Sequence, residues 1–144
     1  MTRVASCQIS LDIDNPAQNI VRANKAIADA ISQGAQIIVL PELTNSGYAF
    51  TSVAEVQERS TTLDGEVIGA WKESAHKNDV VIVAGLALSV ESRLYNASIV
   101  IDKSGLLGWY AKAHLFGEEH QFFKSGEKPP LVVNTAYGLS LIHI

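Results

Sequence analysis

Two stretches of the sequence place a charged side chain directly after a run of apolar residues. Glu42 follows the apolar residues 37–40 in "IIVLPELTNSGY", and Lys112 ends the aromatic stretch in "GWYAKAHLFGEEH". An apolar wall disfavours the charged form of a carboxylate and raises its pKa toward the range of a general base. A lysine in such surroundings can stabilise a developing oxyanion. Each residue alone also fits an ordinary role, a solvated loop glutamate or an edge lysine whose stem covers apolar surface.

Other titratable residues lie close by in the sequence. Glu118 and Glu119 follow the lysine, and an exposed acidic turn is an alternative explanation for them. His114 and His120 are six residues apart with no third histidine or cysteine near them, which is not a metal-ligand spacing, so we expect no metal. Cys7 lies among alternating apolar residues of an expected strand, which favours a buried structural thiol.

Two common kinds of site are disfavoured by the absence of their motifs. The segment after the first expected strand, "SLDIDNPAQN", has none of the glycines of a phosphate-binding loop. A dinucleotide-binding domain is therefore disfavoured. The sequence also contains no nucleophile elbow on which a serine-histidine triad would depend.

The composition is that of a soluble globular chain of one domain. Of its 144 residues, 47% are hydrophobic and 18% are charged, and the net charge is −4 without a basic patch. Nucleic acid is therefore not an expected partner. Spanning a bilayer takes about 20 consecutive apolar residues, and the sequence has no such run. Together with the early polar residues of "MTRVASCQISLDID", this predicts a cytoplasmic protein that is not associated with a membrane.

The first half of the sequence has the pattern of a crossover unit. Residues 4–11 are expected to form a strand, and residues 36–40 are expected to form a short buried one. Between them lies an expected helix, with Asn15 as its cap, Pro16 in its first turn and Gly34 after its end. The apolar residues of this helix recur on one face: Ile20, Ala23, Ile27, Ala30 and Ile31. This pattern predicts two parallel, neighbouring strands covered by a helix.

The second half changes from alternating strands and helices to consecutive strands. Residues 41–62 are rich in turn formers and predict a loop with a short helix, and residues 65–77 predict a second amphipathic helix. Strands are expected at residues 79–89, 95–102 and 106–112, joined by hairpin turns. The whole pattern predicts an incomplete α/β domain with a mixed sheet and helices on one face.

Three motifs together resemble the nitrilase superfamily of carbon-nitrogen hydrolases. They are "LPEL..SGY", "YAKAHLFGEE...F.SG" and "PPLVVNTAYG", in that order, and the resemblance covers residues 3–138. It implies a four-layer α-β-β-α sandwich, of which this chain would form the first half. It also implies a cysteine-dependent hydrolase without metal or organic cofactor, acting on a small-molecule amide or nitrile and forming a homo-oligomer.

The resemblance also implies roles for individual residues. Glu42 matches the family's general base, and Lys112 matches the lysine that supports the tetrahedral intermediate. The family's further glutamate lies four residues before the phenylalanine of its "F..G" element, which here selects Glu119, with Glu118 as the alternative. Tyr48 is expected near the substrate pocket.

The family's nucleophilic cysteine has no counterpart in this chain. Its motif position is about seven residues after Gly138, which is just beyond Ile144. Cys7 lies in the first expected strand, far from that position. We therefore expect the chain to be truncated before the cysteine and to be inactive as given.

The final residues suggest a boundary within the chain, after residue 138. Residues 139–144, "LSLIHI", match one reading frame of an adapter used in preparing sequencing libraries. The sequence thus predicts an incomplete hydrolase domain at residues 1–138 and an adapter-encoded tail that includes His143.

Two functions from different classes remain. The first is part of an amidase acting on a small aliphatic or ω-amino amide, with a nitrilase, an N-carbamoyl amino acid hydrolase and an acyltransferase left open. The second is a catalytically dead relative that binds a small carbonyl ligand or pairs with a full-length partner.

Overall fold

In the computed structural model, which describes residues 1–142, a five-stranded mixed sheet forms the centre of the fold. The strands in spatial order are β1 (Val4–Ser6), β2 (Ile37–Val39), β3 (Val81–Val90), β4 (Arg93–Asp102) and β5 (Gly105–Ala111). The first three are parallel, and β4 and β5 each run antiparallel to the preceding strand. The predicted mixed sheet is confirmed.

Two helices cover one face of this sheet. Helices α1 (Pro16–Ser32) and α3 (Glu66–Asn78) bury apolar residues at helical spacing, including Ala23 and Ile27 of α1 and Trp71 of α3. These side chains pack against every second residue of the central strands, because alternate residues of a strand point to the same face. The predicted layer of helices on one face is confirmed for the two long helices, α1 and α3. Within residues 1–142, no helix has the length and hydropathy needed to cross a bilayer.

The first strand is shorter than the sequence predicts. The apolar alternation continues to residue 11, but β1 ends at Ser6 and only the Cys7 amide still donates to the Val39 carbonyl, at 2.8 Å. The strand beside it, β2, ends at Val39, so the later residues have no partner strand. The chain instead turns toward α1, where the Asn19 side chain binds both backbone groups of Asp12 at 2.6 and 2.9 Å.

The opposite face of the sheet carries a hairpin and a small helix. The hairpin consists of β6 (Leu131–Thr135) and β7 (Gly138–Ile142), and its Val133 and Ile142 pack against sheet residues. The expected loop at residues 41–62 contains the short helix α2 (Val53–Arg59), as predicted. The expected tail at residues 139–144 thus begins in β7, and its last two residues lie outside the described residues.

A tight turn between β3 and β4 sets the register of the sheet. Glu91 and Ser92 form a two-residue loop, and both have positive φ, 50° and 61°. This conformation matches the right-handed twist of a hairpin. The resulting register places Asn96 of β4 directly opposite Ala87 of β3.

Candidate active site

Four polar side chains meet on the sheet face opposite the helices. Lys112 Nζ lies 2.9 Å from Glu42 Oε1 and 3.0 Å from Glu119 Oε2. Asn96 Nδ2 lies 2.6 Å from Glu42 Oε1 and 2.7 Å from Glu119 Oε1. One amine and one amide therefore link the same two carboxylates, and we call these four residues the site cluster.

The loop after β2 carries Glu42 across the sheet. Glu42 and Lys112 do not follow neighbouring strands, because β3 and β4 lie between β2 and β5. The loop reaches over β3 at Gly85, where a Cβ atom would lie 2.5 Å from Glu42 Cα and 2.8 Å from the Pro41 oxygen. The absence of a side chain at Gly85 thus brings the glutamate to the lysine.

The conformation of Leu43 turns the loop at the site. Its φ is 49°, in the left-handed region, which costs an L-residue energy unless its surroundings fix it. The Leu43 side chain is fully buried and packs in a cluster with Val56 of α2 and Ala87 of β3. The Thr44 amide donates to the Gly85 carbonyl at 2.8 Å, which ties the loop to β3. These contacts fix the backbone on both sides of the turn.

Backbone hydrogen bonds hold Lys112 at the end of β5. Its N–H donates to the Asn96 carbonyl at 2.8 Å, and its own carbonyl accepts from Gly126 at 2.9 Å. Glu119 belongs to a 3-10 helix (Gly117–Gln121), and its Oε2 accepts from the Phe116 amide at 2.7 Å. Both side chains are largely buried, with 10% of the Lys112 side chain and 9% of the Glu119 side chain exposed.

The electrostatics of Glu42 differ from the expectation. Burial raises its pKa, but hydrogen bonds from Tyr48, Lys112 and Asn96, with the charge of Lys112, outweigh that effect and leave the pKa below its usual range. The predicted rise in the pKa of this carboxyl is therefore wrong. The sequence showed the apolar neighbours but not the three donors that stabilise the carboxylate. Glu42 is ionised at neutral pH.

The two partners of Glu42 are shifted toward their protonated forms. Burial lowers the pKa of Lys112, but hydrogen bonds to Glu42 and Glu119 and their charges raise it above the usual lysine value. Burial raises the pKa of Tyr48, and its hydrogen bond to Glu42 raises it further. The site therefore holds a charged amine and a neutral phenol beside an ionised carboxylate.

The remaining candidate residues lie outside the site cluster. Glu118, His114 and His120 are exposed, so the structure favours Glu119 over Glu118. Cys7 is half-buried against the core on the helix side of the sheet, and burial raises the pKa of its thiol. Within residues 1–142, no three His, Cys, Asp or Glu side chains are grouped so as to hold a metal ion.

Sequence reasoning missed two residues that build the site. Asn96 is fully buried in β4, where it interrupts the apolar residues of "YNASIVID". Buried polar residues need hydrogen-bond partners, so this interruption was the available signal. Gly85 lies in the middle of β3, and a glycine inside a strand often marks a close approach of another backbone.

An apolar cavity adjoins the site cluster. It has a volume of about 430 Å³, and its lining includes Glu119, Tyr48, Phe50, Phe116 and Phe122. Pockets of roughly 300 to 1,000 Å³ with apolar walls and a few polar groups are typical small-molecule sites. Tyr48 lines this cavity and lies near enough to Glu42 to help lower the pKa of its carboxyl.

Sequence comparison identifies relatives over most of the chain. The family model for carbon-nitrogen hydrolase matches residues 3–142. A nitrilase of Pyrococcus abyssi is 39% identical over 128 residues, which is 88% of this chain and 49% of the relative. A 2-oxoglutaramate amidase of Bacillus subtilis is 33% identical over 130 residues, which is 87% of this chain and 48% of that protein. The chain thus spans about half the length of these relatives.

Solved structures share the fold. A CN-hydrolase superfamily protein from Xanthomonas campestris superposes with a TM-score of 0.83 at 22% identity, over 97% of this chain and 51% of that one. A mutant of a Nesterenkonia amidase from the nitrilase superfamily superposes with a TM-score of 0.72 at 26% identity, over 92% of this chain and 51% of its own. The sheet and its helices are therefore layers of the predicted nitrilase-like sandwich, and the chain belongs to the carbon-nitrogen hydrolase family.

Proposed function

We propose that this chain supplies the acid–base and oxyanion-stabilising part of an amidase-type active site. Glu42 acts as the general base, Lys112 stabilises the oxyanion and Glu119 holds the lysine in place. One observation carries the proposal: Lys112 Nζ bridges the two carboxylates at 2.9 and 3.0 Å at one end of the sheet. Tyr48 and the apolar cavity beside it would contact the substrate.

The ionisation state of Glu42 suits a general base. Its pKa lies below the usual range, so the carboxylate is free to accept a proton at neutral pH. In the proposed reaction it takes the proton of a cysteine thiol as the sulfur attacks the amide carbon. The protonated Glu42 then gives that proton to the departing amine, which leaves a thioester. Water then attacks the thioester carbon as it gives a proton to the same carboxylate, and the C–S bond breaks. Glu42 returns that proton to the departing cysteine sulfur, which releases the acid and restores the thiol.

Lys112 has a donor left for the reaction. An ammonium group carries three N–H bonds, and the two carboxylates of the site cluster engage two sides of it. The third N–H can stabilise the oxygen that becomes negative when the amide carbon is attacked. Such a donor acts strongly because it is held in place before the charge develops, in a site from which water is largely excluded.

The nucleophile of the proposed reaction comes from outside these 144 residues. Cys7 is the one cysteine of the sequence, and it packs against the core on the helix side, away from the site cluster. We therefore propose that the 144-residue chain alone releases no ammonia from amides. The substrate class we favour is a small aliphatic or ω-amino amide.

A chimera tests the proposed function. Residues 1–138 of this chain would replace the matching half of the Bacillus subtilis 2-oxoglutaramate amidase, which is 33% identical over the aligned region. Ammonia release would be measured with simple aliphatic amides, ω-amino amides and 2-oxoglutaramate. We expect release by the chimera and none by the 144-residue chain.

Two substitutions in the chimera assign the roles. Glu42→Gln removes the base while retaining a similar shape, and Lys112→Met removes the charge while retaining the apolar stem. Each is expected to lower kcat about 100-fold or more, which is the scale of one general base or one oxyanion donor. A folded chimera that releases no ammonia from any amide would overturn the proposed function.

A second candidate is a catalytically dead relative that binds a small carbonyl ligand. The position of Cys7 favours it, because the described chain has an ordered site cluster and a cavity but no thiol beside them. Isothermal titration of the 144-residue chain with acetamide or propionamide distinguishes the two. Saturable binding by the chain, together with an inactive chimera, would favour the binding protein.

Three further features are proposals. We propose a cytoplasmic location and a homo-oligomer for the full-length protein, testable by cell fractionation and by sedimentation.

We also propose that residues 139–144 are encoded by an adapter. Reading the DNA across codon 138 tests this, and a genomic continuation with the same six residues would contradict it.

A further inference from the structure

The amide of Asn96 has an unusual set of partners. The residue is fully buried, and its Nδ2 donates to Glu42 Oε1 at 2.6 Å and to Glu119 Oε1 at 2.7 Å. Its Oδ1 has no hydrogen-bond partner among residues 1–142. Reversing the amide would place Oδ1 against two carboxylate oxygens, so the carboxylates fix its orientation. Both donors are used, and the acceptor remains unpaired.

This pattern differs from that of a buried asparagine with a purely structural role. Asn19 is also fully buried, but it uses its oxygen and its nitrogen to bind the backbone of Asp12. Asn96 makes its two side-chain hydrogen bonds to ionisable side chains and leaves one polar atom unsatisfied. An unsatisfied buried acceptor is unfavourable, so packing alone does not account for an asparagine at this position.

The charges of the site cluster show what the amide contributes. Lys112 brings one positive charge to two carboxylates, Glu42 and Glu119. Two carboxylates held this close repel each other, and one of them tends to take up a proton. Asn96 supplies an N–H to each without adding charge. The lysine then does not have to satisfy both carboxylates alone.

We propose that Asn96 is a positioning residue, which holds Glu42 and Glu119 on either side of Lys112 and keeps Glu42 ionised as the base. This inference rests on the proposed function, in which Glu42 is the general base. The groups that face Glu42 are Tyr48, Lys112, Asn96 and, across the lysine, Glu119. Of these, Asn96 is the neutral donor that contacts both carboxylates.

Titration of Glu42 in the 144-residue chain tests the proposal. The carboxyl carbon would be followed by carbon-13 NMR in the unsubstituted chain and in Asn96→Asp. The aspartate keeps the shape but removes both N–H groups and adds a third carboxylate. We expect the titration midpoint of Glu42 to move upward. The matched control is Asn19→Asp, which is expected to lower the melting temperature and leave that midpoint unchanged.

A second variant separates positioning from packing. Asn96→Leu keeps the branching and the number of side-chain heavy atoms, has no donors and no charge, and removes the unpaired oxygen. We expect it to retain the fold and also to move the Glu42 midpoint upward, because the carboxylate loses a donor. An unchanged midpoint in either folded Asn96 variant would overturn the proposal. So would unfolding of both variants while Asn19→Asp remains folded, since Asn96 would then be a structural residue.

The titration does not depend on catalysis. It is read in a chain without the family's nucleophile, whereas the proposed function is read as ammonia release by the chimera. An inactive chimera with a shifted Glu42 midpoint in the Asn96 variants would reject the function and retain the electrostatic role. An active chimera with an unshifted Glu42 midpoint in the Asn96 variants would support the function and reject the positioning role of Asn96.

Discussion

The ionised state of Glu42 links the stability of this chain to pH. The pKa of its carboxyl is lower in the folded chain than its ordinary value, because donors outweigh the effect of burial. A carboxyl with a depressed folded pKa stabilises the fold above its unfolded pKa, and this contribution is lost as pH falls through the folded value. The Glu42 contribution is thus complete at neutral pH and disappears in acid.

We predict that Glu42→Gln removes part of the acid dependence of stability. Urea unfolding would be measured between neutral pH and pH 3 for both chains, and the difference should be largest at neutral pH and shrink as pH falls. The matched control is Glu73→Gln. Lys77 on α3 also lowers the pKa of Glu73, but this pair is exposed, so its contribution to stability and to the acid dependence should be small. An equal pH effect of both substitutions would contradict the prediction.

Lys112 is the residue on whose charge the two carboxylates depend. Only 10% of its side chain is exposed, and it contacts both Glu42 and Glu119. We predict that Lys112→Met lowers the free energy of unfolding by about 3 kcal/mol, since removing the lysine leaves the buried Glu119 and the half-buried Glu42 uncompensated. The measurement is urea unfolding at neutral pH.

The control for this substitution is another lysine in an ion pair. Lys124 pairs with Glu127, but 43% and 81% of their side chains are exposed. Exposed pairs contribute about 0–1 kcal/mol, so Lys124→Met should change the free energy of unfolding by no more than about 1 kcal/mol. A loss for Lys112→Met no greater than that of the control would mean that the site cluster does not stabilise the fold.

At the residue scale, the sequence identified the charged members of the site but not their neutral partner. Glu42, Lys112 and Glu119 were found from apolar flanks and from motifs. The predicted direction of the Glu42 pKa shift was wrong, because that direction depends on donors that the fold brings together. Asn96 is 54 residues from Glu42 in sequence, and no local pattern relates the two.

At the scale of elements, the site depends on one loop crossing one strand. The loop after β2 lies against β3 at Gly85, whose amide donates to the Pro41 carbonyl at 3.0 Å. The sequence predicted strands β3, β4 and β5 and the hairpin turns that join them, but not that β3 pairs with β2. The order of the strands depends on the crossover and on the hairpin register together. No single segment of the sequence carries both signals.

We predict that Gly85→Ala displaces the loop and disrupts the site. The added Cβ would lie 2.5 Å from Glu42 Cα, and backbone on both sides leaves little room for relaxation. Overpacking of this kind costs about 1–3 kcal/mol. Urea unfolding would measure that loss, and carbon-13 NMR would show an altered Glu42 titration.

A second glycine gives a control of opposite sign. Gly69 is exposed within α3, and nothing lies within 4 Å of the Cβ that an alanine would add. Alanine inside a helix is more stable than glycine by about 0.5–1 kcal/mol, so Gly69→Ala should stabilise the chain. If Gly85→Ala were also stabilising, the close approach of loop and strand would be disproved.

At the scale of the whole molecule, the helix side of the sheet is covered and the other side is covered in part. The layer of α1 and α3 was predictable because each helix has a periodic apolar face. The packing of the β6–β7 hairpin on the sheet has no local signal in the sequence. The outer side of the hairpin carries three exposed apolar residues: Val132, Leu139 and Leu141.

Those three residues form one apolar surface. Val132 pairs with Leu141, and Leu139 pairs with Asn134 two positions along β6, so the three side chains share a face of the hairpin. Their exposed fractions are 58%, 74% and 59% in sequence order. Contiguous exposed apolar surface on a hairpin favours association between molecules. We therefore expect the 144-residue chain to self-associate through this surface.

We predict that Leu141→Lys reduces this self-association without lowering the melting temperature, because the Leu141 side chain is exposed and contributes little to the core. Sedimentation velocity over a range of concentrations would measure association, and thermal unfolding would measure stability. Val21→Lys is the matched control, since Val21 is 58% exposed on α1, away from the hairpin. Equal association of both variants would mean that another surface is responsible, whereas a smaller assembly for Leu141→Lys alone identifies the hairpin as the contact.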